Sequence, residues 1–146
     1  MASPRQILLA AVRACLAEIA QADGYRTDAG QDETLEPAPA AASEKPDPFL
    51  AVVWERQERP DEPAVARTHR KTTFRVIGKL PAGMTDAQER IDAMASDIEQ
   101  ALDRRPERWP AAYSAPAYVS AEPLAGAVEA GYVGVALTYT SNIPIK

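Results

Sequence analysis

The chain has 146 residues, with 46% hydrophobic and 25% charged side chains and a net charge of −5. That length and balance suit one domain with a core of its own. They argue against general nucleic-acid binding, which depends on cations that neutralise phosphates.

A first helix is predicted from about Pro4 to Ala22. Pro4 suits the first turn and Ser3 is placed to cap it. Ile7, Leu8, Ala11, Val12, Cys15, Leu16 and Ile19 recur at three- and four-residue spacing and form one apolar face. Gly24 supplies a stop. Met1-Ala2-Ser3-Pro4-Arg5 lacks the long apolar region of a signal peptide. No stretch approaches the roughly 18–20 apolar residues that cross a bilayer. Cys15 is the one cysteine, so no disulfide forms within the chain. Its place on the apolar stripe marks it as a small buried hydrophobe. A cytosolic product, or one assembled in a cytosol, is expected.

Tyr25-Arg26-Thr27-Asp28-Ala29-Gly30 is a short polar segment with room for a small strand or turn. Gln31 to Pro48 carries four prolines and no aromatic residue, and reads as a long loop. Phe49 to Glu55 is apolar on both faces, as in a strand inside a sheet. Arg56 to Ala66, with Pro60 and Pro63, reads as a charged hairpin tip. The next strand runs from about Arg67 to Leu80. Arg67, His69, Lys71, Thr73, Arg75 and Lys79 fall on one face, and Thr72, Phe74, Val76 and Leu80 on the other.

Thr85-Asp86-Ala87-Gln88 matches a capping box, with Thr85 as the cap. It opens a second helix that reaches about Asp103. Ala87, Ile91, Met94, Ala95, Ile98 and Leu102 form its buried stripe, and Glu89, Asp92, Asp97 and Glu99 are expected largely on wet faces. A proline-bounded connection from Arg104 to Pro110 leads to a hairpin of about Tyr113 to Glu122 and Val128 to Thr140, turning near Leu124-Ala125-Gly126. Pro116 places the first arm at a sheet edge or makes it begin after that residue. The expected fold is α+β: a mostly antiparallel sheet of about four strands, two helices packed on one face, and long flexible loops.

The common catalytic patterns do not occur. There is no phosphate-binding glycine loop and no dinucleotide fingerprint. One histidine and one cysteine cannot build a zinc site within a subunit. His69, the one histidine, lies in a basic strand where neighbouring cations oppose imidazolium formation, so it reads as an ordinary exposed strand residue. Asp86, Glu89, Asp92 and Asp97 read as a solvated helix face. No catalytic, cofactor or metal-binding residue is therefore assigned.

Charge is unevenly placed. From Ala64 to Thr85 there is no acid, yet Arg67, Arg70, Lys71, Arg75 and Lys79 all occur, which leaves 11 cationic against 21 acidic side chains elsewhere. A basic strand on an acidic body is read in two ways. It is a solvated face that resists edge aggregation, or it meets an acidic patch on a neighbouring subunit. DNA binding is disfavoured there, since Phe74, the one aromatic, faces inward. The residues assigned to a subunit or partner interface are Tyr25, Arg26, Thr27, Asp28, Arg56, Arg59, Arg67, Arg70, Lys71, Arg75 and Lys79.

The pattern as a whole resembles the tail terminator, or tail completion, family of long-tailed bacteriophages and related prophage elements. The resemblance is carried by the helix Arg5 to Val12 running into Gly24-Tyr25-Arg26-Thr27-Asp28-Ala29-Gly30, and by the strand Phe49 to Glu55 after a variable loop. Val76-Ile77-Gly78, the helical run Ala93 to Leu102 and the closing stretch Gly131 to Thr140 complete it. It covers nearly the whole chain except the Pro/Ala loop. It implies a homohexameric ring that caps the head-proximal end of the tail tube, with the tube protein and a head–tail connector or neck protein as partners. DNA would pass through the lumen without specific binding, and an acidic lumen would suit that passage. No cofactor and no membrane contact are implied. Other readings stay open: another tube or neck ring component, a small enzyme working through surface carboxylates, or a regulator with an enclosed apolar pocket.

Overall fold

Helix α1 spans Pro4–Leu16, and its start is set by the sequence signals named above. The Ser3 hydroxyl accepts from the Gln6 amide at 3.2 Å, and the Gln6 side chain accepts from the Ser3 amide at 3.0 Å, which closes a reciprocal cap. The helix ends at Leu16, earlier than the apolar stripe suggests. Ile19 is still fully buried, but Ala20 turns extended and a 3₁₀ turn follows over Gln21–Asp23. Gly24, at φ 91°, terminates that turn and not the α-helix.

This computed structural model describes residues 2–27, 33–34, 49–81, 86–103, 109–124 and 132–146. Four long strands, β2 (Phe49–Glu58), β3 (His69–Pro81), β4 (Ala117–Pro123) and β5 (Tyr132–Pro144), pair antiparallel. A two-residue strand, β1 (Glu33–Thr34), joins β2 in parallel from within the segment read as loop. The order is β1-β2-β3-β5-β4. Helix α2 (Ala87–Leu102) packs with α1 on one face, giving the α+β arrangement expected from the sequence.

The spine of the sheet is the β3–β5 pair, which runs in register from His69 opposite Pro144 to Pro81 opposite Tyr132. β5 is therefore four residues longer at its C-terminus than its alternation suggested. The face toward the helices carries Phe74, Val76 and Leu80 from β3 and Val135, Leu137, Tyr139 and Ile143 from β5. Leu8, Val12 and Leu16 of α1 and Met94, Ile98 and Leu102 of α2 cover them. Cys15 is buried among these residues, as its position on the stripe predicts. Gly134 lets two strands and a loop close up. A Cβ there would sit 2.5 Å from the Gly78 carbonyl oxygen and 2.8 Å from Leu124 Cδ1.

Three further expectations are corrected. The charged tip does not begin at Arg56. β2 continues through a bulge near Glu55 to Glu58, because Arg56, Gln57 and Glu58 still find partners in Thr73, Thr72 and Lys71. The cap of α2 is Asp86, whose carboxylate takes the Arg90 guanidinium at 3.1 Å and no backbone amide, while Thr85 lies outside the described residues. Asp97 is not on a wet face but fully buried. Its two oxygens accept from the Arg26 amide at 3.0 Å and from the Thr27 amide and hydroxyl at 2.8 and 2.7 Å. The carboxylate of α2 thus holds the segment that leaves α1, and it is buried because those donors replace water.

Asp97→Ala leaves these donors without their acceptor and is expected to cost about 3 kcal/mol. Urea unfolding checks this: the midpoint should fall with an unchanged slope, and a wild-type midpoint would remove the carboxylate from its central place.

Candidate docking surfaces

The sheet face opposite the helices carries the cations of β3, but most of them are engaged within the subunit. Arg75 reaches across β5 to Glu122 at 3.5 Å, and Lys71 meets Asp61 at 3.3 Å. Lys79 is buried by its neighbours on that face. Arg56 pairs with Glu58 at 3.1 Å. His69 is half-buried and not freely exposed: its Nε2 lies 2.9 Å from the Ala112 carbonyl and its Nδ1 2.7 Å from the Thr68 hydroxyl. The carbonyl can only accept, so Nε2 is the donor in that contact. That contact holds Ala112, which sits at φ 75°, a conformation that disfavours side chains.

The 25–27 segment faces inward more than the sequence suggested. Tyr25 belongs to the core, and the Arg26 and Thr27 amides and the Thr27 hydroxyl are held by Asp97. The Arg26 side chain remains exposed, and Asp28 lies outside the described residues.

Three of the other assigned arginines come together. Arg59, Arg67 and Arg70 line an open cleft of about 730 Å³ at the hairpin between β2 and β3, with Glu58 and Pro63 beside them. Arg70 is held in place by two backbone carbonyls, those of Ala66 at 2.8 Å and His69 at 2.9 Å. Arg59 and Arg67 are exposed. The Glu58 carboxylate is taken up by Arg56, so the cleft stays positive.

A second surface lies at the other side of the sheet. Helices α1 and α2 do not reach over β4, and every residue of Ala117–Pro123 is exposed. Between the C-terminal half of α2 and the start of β4 runs an open groove of about 840 Å³. Glu99 and Asp103 line one wall, Pro116 and Tyr118 the other, and Tyr139 lies at its base. Tyr118 is 54% exposed and stands edge-on against Tyr139, with ring centroids 5.8 Å apart.

Among the described residues, the charged side chains that line this groove are both acidic. Its carboxylates sit at the negative end of the α2 dipole, and the last turn of the helix has no basic residue to offset them. The Tyr139 hydroxyl is buried and has no hydrogen-bond partner among the described residues. Burial, then the Glu99 carboxylate, with Tyr118 and Asp103 behind it, pushes that phenol far above its ordinary range. Arg104 and Arg105 follow in sequence but lie outside the described residues.

Sequence reasoning missed this groove. Its one available signal was the spacing of Glu99 and Asp103, four residues apart at the end of a helix where acids are disfavoured. Among the described residues no cluster of three His, Cys, Asp or Glu side chains is placed to hold a metal ion. No helix among them is long and apolar enough to cross a membrane.

No protein-family model and no curated protein matches the sequence. The fold is similar to that of a chain in the virion of a native gene transfer agent (GTA) particle, with a TM-score of 0.56 and 15% identity over 99% of each chain. At that identity the likeness is one of fold.

The orphaned hydroxyl gives a direct test of the groove. Tyr139→Phe removes an unsatisfied buried polar atom and keeps the stacking on Phe74, whose ring lies 5.8 Å away at 14°. The variant should be more stable by about 1 kcal/mol. A loss of stability in thermal or urea unfolding would mean that the hydroxyl has a partner.

Proposed function

We propose that the chain is a structural subunit of a phage-like particle. It forms a ring that caps the head-proximal end of the tail tube, ends tube polymerisation and offers the surface to which the head–neck proteins attach. Its partners on this reading are further copies of itself, the tube protein and a connector or neck protein. DNA passes through the ring without specific binding.

The observation that carries the reading is the fold likeness to a virion chain, which extends over 99% of both chains. The surface chemistry supports it. The hairpin cleft and the groove beside β4 are open and lined by charged side chains, which suit docking with other proteins. The two charged surfaces differ in sign and in place, as head-to-tail contacts require.

The test is elongation of the cognate tube protein. Added in amounts far below the tube subunits, the chain should stop growth and leave tubes of fixed length. A particle-producing strain without it should yield overlong tubes and unattached heads. Tubes that grow unchanged with the chain present would reject the capping role. Incorporation along the whole tube would instead identify a tube subunit.

A further inference from the structure

We propose that the acidic groove between α2 and β4 receives the arginine-bearing β2–β3 hairpin of a second copy of this chain, so that copies join head to tail. The proposal rests on the ring reading above and names the surfaces that would build such a ring.

Two features of the groove ask for a cation from outside. Glu99 and Asp103 lie at the negative end of α2 with no basic residue in the last turn, and a positive charge placed there relieves both the carboxylates and the helix end. Tyr139, 3% exposed, also lines the groove with a hydroxyl that no described group satisfies. A guanidinium has five donors in one plane. It can serve a carboxylate and a phenol oxygen together while its flat face lies against Tyr118.

The hairpin supplies that cation. Arg59 and Arg67 project from its surface, and the two carbonyls on Arg70 fix the third charge beside them. Fixing the side chain beforehand lowers the entropic cost of docking. The strand order puts the β2–β3 hairpin toward one side of the sheet and β4 at the other. The two complementary patches are therefore separate places on the subunit. Different patches meet head to tail, and repetition of such a contact generates a ring where its rotation closes.

The full chain is tested by sedimentation at low and high salt. Wild type should self-associate, and the association should weaken as salt rises. Arg67→Glu and Glu99→Lys each change an exposed side chain and should each weaken association by about tenfold or more. The two combined in one chain should recover most of it. Tyr139→Phe should weaken association although it stabilises the subunit, a split that a purely internal role would not produce. Rings that tolerate both single reversals, or that ignore salt, overturn the docking and leave the capping role standing. A chain that stays monomeric at millimolar concentration in low salt overturns the docking, and it removes the self-assembly on which the ring depends.

Discussion

The Asp97 carboxylate ties the two helices into one layer. It sits on α2 and binds the backbone just after α1, and so links residues about seventy positions apart through three short hydrogen bonds. Hydrophobic burial alone fixes how much surface the helices cover, but not where each one stops. The carboxylate supplies that register. With the Arg26 and Thr27 amides held, Tyr25 is drawn into the core, and α1 is laid across β2 and β5 at one place. A carboxylate buried at this depth needs donors in place of water, and the Arg26 and Thr27 groups supply them.

That register in turn decides what stays uncovered. Both helices are committed to β2, β3 and β5, so neither is available for β4. The far edge of the sheet keeps Tyr118 and Val119 half in solvent, and the C-terminal end of α2 faces them across a groove. Toward the other side of the sheet, the β2–β3 hairpin gathers Arg59, Arg67 and Arg70 around an open cleft. Opposed charge on two sides of one sheet is thus a consequence of how two helices share four strands.

The architecture was legible because its signals are periodic. The stripes on α1 and α2 and the alternation on β3 and β5 each point to one face, and the core is built from those faces. The interior of Asp97 was not legible. An acid near the middle of an amphipathic helix looks solvated until its partners arrive from a distant loop, and no local rule links position 97 to positions 26 and 27. The basic strand was legible as a charge excess, but its division was not. Lys71 and Arg75 are paired within the subunit, while Arg59, Arg67 and Arg70 gather at the hairpin. Sequence shows the sum of the charges, and the cross-strand register shows which of them are already paired.

The shape of β4 disfavours backbone pairing with a further strand. An open edge strand invites a neighbour to extend the sheet. Here that extension is limited in three ways: Pro116 stands before the strand, Pro123 ends it, and the register slips between Tyr118 and Ser120. Proline offers no amide to a new partner, and a bulge twists the edge away from one. What remains accessible is the groove beside the strand, with its two carboxylates and two tyrosines. Contacts of that kind are directional and sensitive to charge, so they discriminate between a matching surface and any exposed strand. On the proposed ring reading that discrimination matters, because a sheet edge that accepts any strand has no means of ending its own growth.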